Sequence, residues 1–318
     1  MLCYNLDVPT LDFTRLKTYP AGSRKSKVRF DAFAKPCRKG GSFREFYDSL
    51  PNFLAVKEFQ AVVDAIVAAK RRRRPVLLMV GAHVIKVGLN PLVIELLKRE
   101  VVTALAMNGA GIIHDFELAF MGSTSEDVDA ALADGSFGMA RETHESLNRA
   151  IREGAKKDWG LGRAVGAMIN RQRLPFRRLS LLATCQEFGV PATVHVAIGT
   201  DIIHQQSSAD GAAIGQTSLA DFRTLVGVVA KLGNGGVVGN LGSAVILPEV
   251  FLKAVSIARN LGHPVKEFTA FNFDMMRHYR PSENILRRPT LLGGQAIHIT
   301  GHHELMVPLL VRAVMEQI

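Results

Sequence analysis

The sequence predicts an α/β fold: a doubly wound, mostly parallel, six-stranded Rossmann-like sheet preceded by an extended N-terminal arm. Three observations predict it. Short apolar runs alternate with stretches of helical period from residue 75 onward. The runs have little polar alternation, as in parallel strands buried on both faces. Each run ends in Gly, Asn, Asp or His, the punctuation of strand ends.

The elements follow in order. Residues 1–50 are rich in Lys, Arg, Ser, Gly and Pro and show no sustained period, so they read as an arm with little core of its own. Residues 51–318 read as one nucleotide-binding domain. Between 52 and 70, Leu54, Val56, Phe59, Val62, Val63, Ile66 and Val67 form a helical stripe. Lys70, Arg71, Arg72, Arg73 and Arg74 end it, where cations meet the negative end of the helix dipole. The strand-like runs are 76–80, 101–107, 192–197, 236–238, 268–273 and 296–299. Helical stripes lie at 91–99, 127–132, 142–153, 219–232, 247–260 and 304–316. Residues 136–174 read as a helical insertion, with a break near Trp159 and Gly160.

Composition narrows the classes. The chain has 318 residues, is 47% hydrophobic and carries a formal charge of +10, which excludes a disordered or fibrous chain. Residues 1–40 contribute +6 and the run from Lys70 to Arg74 contributes +5, so the rest of the chain is close to neutral. Three cysteines (Cys3, Cys37, Cys185) without a CxxC pair argue against a disulfide framework and for reduced thiols in the cytoplasm. No apolar run approaches the roughly 20 residues that span a bilayer, and the first residues do not read as a secretory signal.

In such sheets ligands bind at the carboxyl ends of the strands. The sequence there reads Gly81-Ala82-His83, Asn108-Gly109-Ala110-Gly111, Gly199-Thr200-Asp201, Gly239-Asn240-Leu241-Gly242-Ser243, Asp274 and Thr300-Gly301-His302-His303. Glycine lets a main chain approach a phosphate. No GxGxxG or GxxxxGK[ST] is present, and each turn alone also suits plain strand-to-helix geometry.

Lined up, these loops resemble deoxyhypusine synthase. That family's EFDGSDSGARPDEA is similar to Phe271-Asn272-Phe273-Asp274 followed by Arg280-Pro281-Ser282-Glu283. Its LGGGVVKHHIANAN resembles residues 232–244, and its DA(S/T)xVFPLLVA helix resembles residues 302–311. TSNLISSG shares Ile85 and Gly88, and TAGGVEED shares Gly111 and Asp115. The resemblance implies an NAD-binding Rossmann-like fold, a homotetramer with sites between subunits, and a polyamine or other small amine as substrate. It implies cofactor contacts at Gly81, His83, Gly88, Asn108, Gly111, Asp115, Gly199, Thr200, Asp201, Gly235, Gly236, Asn240, His302 and His303. Asp274, Glu283 and His114 are the implied catalytic positions.

The departures fall on chemistry. The family's lysine, which forms an imine with the aminobutyl group, has no counterpart, because no lysine follows Lys266. Arginine stays protonated and forms no such imine. The usual lysine-imine route to deoxyhypusine is therefore not expected. His83, His114, His195, His204, His302 and His303, with Asp115, Glu117, Asp201, Asp274 and Glu304, form a constellation with three open readings. These are polar groups of a nucleotide pocket, a proton-transfer pair, or ligands of a metal. Two further readings stay open: a regulatory protein without catalysis, and an RNA-associated module using the basic patches. A solvated helix end or an acidic face of another subunit is the preferred partner of the arginine run, ahead of RNA.

Overall fold

The computed structural model describes residues 8–318; Cys3 and Asp7, counted above, lie outside them. Six strands, β1 (Val76–Val80), β2 (Ala104–Asn108), β3 (Ala192–His195), β4 (Val237–Leu241), β5 (Phe268–Asp274) and β6 (Gly294–Thr300), form one sheet in the order β3-β2-β1-β4-β5-β6. Every pairing is parallel. The order reverses between β1 and β4, so the two halves wind outward from that seam.

The strand sequences explain the layers. In β1, Val76, Leu78 and Val80 face one core and Leu77 and Met79 the other. The first core packs the sheet against helices Leu54–Arg71, Asn90–Lys98, Gly109–Met121 and His303–Met315. The second packs it against Gly211–Val229, Ile246–Asn260 and the wide π-type turn Pro281–Arg287. At Gly239 a Cβ would lie 2.2 Å from the Phe271 ring, so β4 needs glycine where that ring crosses it.

Residues 8–42 hold three short 3-10 turns and almost no buried side chain. Val8, Leu11, Phe13, Leu16, Tyr19 and Phe30 are each at least two-thirds exposed. The arm then anchors through helix Phe43–Ser49, started by a reciprocal Ser42–Glu45 capping box. From there Phe43 stacks on Tyr47 (5.9 Å), Tyr47 meets Phe59 edge-on (6.3 Å) and Phe59 stacks on Phe273 (6.1 Å), joining the arm to the end of β5. No helix among the described residues is long and apolar enough to cross a membrane.

Some element expectations are corrected. β4 runs on to Leu241, so Gly239 and Asn240 lie inside the sheet. Gly235 and Gly236 precede β4 and sit at the opposite edge from the strand ends, beyond reach of a ligand there. β2 starts at Ala104 because the Val101 and Val102 amides bond back to Leu96 O and close the preceding helix. Helix Gly109–Met121 was not expected: buried on most sides, it lacks the polar face that marks a helix in sequence. Residues 136–174 form two helices, Arg141–Lys156 and Leu161–Arg171, divided at Trp159 and Gly160.

Candidate functional site

The carboxyl edge is built from the turns after each strand. At the β1/β4 seam the turns meet directly: Gly81 N donates to Leu241 O at 2.8 Å, and a Cβ on Gly81 would lie 2.3 Å from Gly242 O. Beside it, a Cβ on Gly242 would touch His303 at 2.7 Å. The His83 and His303 rings lie 5.5 Å apart. His303, buried at the first turn of helix His303–Met315, donates from Nε2 to Phe273 O at 3.1 Å. That bond fixes the proton on Nε2 and leaves Nδ1 as an acceptor, buried and without a partner. Burial lowers its pKa. Asp274 ends β5 and is also buried, and its Oδ2 has no partner.

Beneath these groups a polar row crosses three strands in register, since Asn240, Asn272 and His298 are paired neighbours. Asn240 Nδ2 donates to Ser243 O (3.0 Å) and to Asn272 Oδ1 (2.6 Å). Asn272 Nδ2 donates to His298 Nδ1 (3.1 Å), whose Nε2 donates to Thr300 Oγ1 (3.1 Å). The donors all run one way, which holds His298 neutral, and burial lowers its pKa. Asn272 entered only as part of a resembling strand, and His298 has no mark in the sequence. The signal was a polar residue at the same depth of three apolar strands, visible only once the register is known.

Other expected residues serve the fold. Asp115, fully buried with its carboxyl pushed up to about 6 by burial, accepts from Ser180 Oγ, Leu181 N, Leu182 N and Asn90 Nδ2 at 2.6–3.3 Å. It caps helix Leu181–Glu187. Asn108 Oδ1 accepts from Gly111 N and caps helix Gly109–Met121. His195 lies in β3 against Thr193 Oγ1 at 3.0 Å, and burial lowers its pKa to about 4. Gly88 takes a left-handed φ of +77° between two helices, and Gly199 takes +94° in an exposed turn closed by Thr200 Oγ1 donating to Ala197 O. Exposed His302 lies 3.6 Å from Glu304.

Asp201 alters the expected phosphate site. Its carboxylate lies against Gly109, where a Cβ would come within 1.8 Å of Oδ2. The start of helix Gly109–Met121 is thus covered by the chain's own acid, whose carboxyl burial raises to about 6. His204 Nε2 lies 3.9 Å away, and its Nδ1 accepts from Gly199 N and Asp201 N.

The three implied catalytic residues share no hydrogen bond. His114 Nδ1 meets Thr124 Oγ1 at 2.7 Å, and Thr124 donates to Glu117 Oε2 at 2.5 Å. Burial, with Lys86 nearby, lowers the His114 pKa to about 4. Glu283 is held by Arg287 (2.5–3.0 Å) and Arg288 (3.3 Å), and the Arg287 contact lowers its pKa. Among the described residues no three His, Cys, Asp or Glu side chains gather closely enough to hold a metal. Of the constellation's histidines only His83 and His303 lie side by side, and the described residues offer no third ligand beside them.

No protein-family model matches the chain, and no curated protein matches it. Solved structures do. A conserved protein assigned to the LOR/SDH group, from Methanococcus maripaludis S2, aligns with a TM-score of 0.53 at 12% identity, covering 89% of this chain and 75% of that one. The ternary complex of AgrE with ornithine and NAD+ aligns with a TM-score of 0.52 at 13% identity, covering 84% of this chain and 34% of AgrE. The chain thus spans about a third of the AgrE length. A protein assigned as a deoxyhypusine synthase, from Entamoeba histolytica, aligns over 94% of its length with a TM-score of 0.49 at 11% identity, too low to establish a shared fold in detail. At these identities the likeness is one of fold: an α/β chain around a six-stranded parallel sheet of Rossmann-like order.

Proposed function

We propose that this chain is a deoxyhypusine synthase-like protein that binds NAD or a related nucleotide at the carboxyl edge, over Asp274, His303 and His83. One observation carries the reading. Two buried acceptors, Asp274 Oδ2 at the end of β5 and His303 Nδ1 at the start of the helix after the neighbouring β6, have no donor to satisfy them. An unsatisfied buried polar atom costs about 1–3 kcal/mol, so a ligand that supplies donors is favoured there. A ribose diol supplies two hydroxyl donors, and an amine supplies N–H donors. Residues of the site therefore fit the ribose of a dinucleotide. They fit a phosphate less well at the Gly109 helix, where Asp201 repels it. The AgrE complex with NAD+ supports the choice of nucleotide. Bound nicotinamide would supply hydride chemistry. The chain's own part is to orient the ribose through Asp274 and to accept a proton-bearing donor at His303 Nδ1.

An amine substrate would have to compete for Glu283 with Arg287 and Arg288, and no lysine follows Lys266 to form an imine. These two facts favour a second reading, a nucleotide-binding regulator that kept the fold without the transfer. The apolar side chains exposed along residues 8–33 support assembly with further copies, a homo-oligomer such as a tetramer, in the cytoplasm.

Calorimetry with NAD is the test. Binding that weakens at least tenfold in Asp274→Asn, with unchanged thermal stability, is the expected result. No NAD binding by the intact protein overturns the proposal. Spermidine turnover in the presence of NAD separates the enzyme from the regulator, and light scattering reports the copy number.

A further inference from the structure

Two wide clefts open at the other edge of the sheet, below the N-terminal ends of β1, β2 and β3. One, of about 1000 Å3, is floored by apolar residues such as Val102, Val190, Pro191 and Val228. Its basic rim is Lys70, Arg71, Arg73, Arg74 and Lys231. The second, of about 820 Å3, adds Arg163 and Arg223 beside Trp159. The two share the wall formed by Gly189, Val190, Pro191 and Thr224, so they form one continuous groove. The acids that line it are Glu100, Asp158 and Asp221, and Asp221 is buried with its carboxylate turned to main-chain amides.

Helix ends explain part of this charge, because Lys70 and Arg71 lie in the last turn of helix Leu54–Arg71 and bind carbonyls, Arg99 O at 2.6 Å and Gln317 O at 2.8 Å. They do not explain the rest. Arg223 lies within helix Gly211–Val229, and Arg163 near the start of Leu161–Arg171. Arg73, Arg74, Arg223 and Lys231 have no carboxylate partner among the described residues. Arg73 takes a left-handed φ of +53°, where glycine is the unstrained choice after a helix. The ring of Trp159 holds Lys157 Nζ at 4.6 Å and Arg163 Cζ at 4.2 Å from its centre, which fixes Arg163 on the groove wall.

We propose that this groove binds the backbone of a single-stranded nucleic acid. Arginine's planar fork matches phosphate oxygens. Cations spaced along a groove follow a repeating anion, and the apolar surface of Val190, Pro191 and Val228 between them gives bases a face to lie against. A compact anion would use one cluster of cations and leave the floor bare. The groove lies at the opposite edge from the Asp274 site, so the proposal is independent of the nucleotide reading.

The chain reports on its own groove, because Trp159 is its only tryptophan. The intact protein is titrated with a 12-nucleotide oligouridine, following indole fluorescence and the anisotropy of labelled oligomer. Binding that changes the indole signal is expected. With four phosphate contacts, affinity falls about 50-fold between 50 and 200 mM salt. The double variant Arg73→Gln/Arg74→Gln, both exposed positions, should cut that salt effect to about sevenfold. Arg223→Gln, on a different helix, gives a second variant should the first misfold. An oligodeoxyuridine distinguishes RNA from DNA as the source of the backbone. Three results overturn the proposal: no binding at 50 mM salt, binding that leaves Trp159 and the salt slope of both variants unchanged, or inorganic polyphosphate binding as tightly as the oligomer.

Discussion

Asp221 should make the stability of this protein depend on pH in the direction opposite to most carboxylates. It lies on helix Gly211–Val229, 2% exposed, and its Oδ2 accepts from Gly162 N and Val194 N, both at 2.8 Å. A Cβ on Gly160 would lie 1.8 Å from Oδ1, so the chain packs directly against the carboxyl. Burial outweighs the amide bonds and pushes the pKa from 3.8 up to about 7. A native pKa above the unfolded value means that the folded state holds the extra proton. The stabilisation is therefore complete below about pH 4 and is lost as pH rises through about 7. Between pH 5.5 and 8.5 the loss is about 1.5 pH units at 1.36 kcal/mol each, or ~2 kcal/mol. His114 and His195, whose pKa values burial lowers to about 4, act in the opposite sense. Their stabilisation is lost as pH falls below about 6.5, so the wild-type curve alone does not isolate Asp221. Asp221→Asn does, because both amide bonds reach one oxygen and the carboxamide keeps it. The wild type minus variant difference should drop by ~2 kcal/mol from pH 5.5 to 8.5 and flatten above pH 7.5. For 318 residues that corresponds to ~3 °C in Tm. Urea unfolding across the range measures it. Parallel curves, or a difference that grows with pH, would show that the amide bonds outweigh burial and refute the reasoning.

Three further outcomes follow from packing. Gly239→Ala places a methyl against the Phe271 ring and should cost ~1–3 kcal/mol in urea unfolding. Asp115→Ala leaves Ser180 Oγ, Leu181 N, Leu182 N and Asn90 Nδ2 without their acceptor. It should cost ~3 kcal/mol or more, and hydrogen exchange should show helix Leu181–Glu187 losing protection first. Cys37 is exposed, whereas Cys185 is buried and its thiol pKa is raised. A thiol reagent should thus label Cys37 at once and Cys185 only on unfolding.

The sheet was legible because β1 to β5 are largely buried on both faces, so runs such as Val76–Val80 are apolar throughout and too short for a helix of ordinary length; β6, mostly exposed, is the exception. The helices that the sequence concealed are those that tertiary burial made apolar. Gly109–Met121 opens with two glycines, poor helix formers, and presents no polar stripe. Its start is secured instead by Asn108 and covered by Asp201, 92 residues on from Gly109. The candidate site was legible as a set of strand-end residues but not as an arrangement. Asp115 and Asp274 look alike in sequence, each a buried acid near a strand end. One is saturated by four donors and the other has an oxygen with none. Only the folded neighbours separate a cap from a ligand position.

The same reasoning divides the charge. The row from Asn240 to His298 and the acceptors above it give the carboxyl edge a surplus of lone pairs, which calls for hydroxyl or amine donors. The opposite edge carries unpaired guanidinium and ammonium groups, which call for anions. In a parallel sheet the two edges are separated by the length of the strands, about 3.3 Å for each residue, or ~17 Å for the five residues of β1. The groove cations stand in solvent, where the Debye length at physiological salt is about 8 Å, so the basic groove contributes less at Asp274 and His303 than the groups of the carboxyl edge itself. Neutralising Arg73 and Arg74 should leave NAD affinity unchanged, whereas Asp274→Asn should leave oligomer affinity unchanged. A loss of both ligands in either variant would mean that the two edges are coupled through the sheet itself and not through its field.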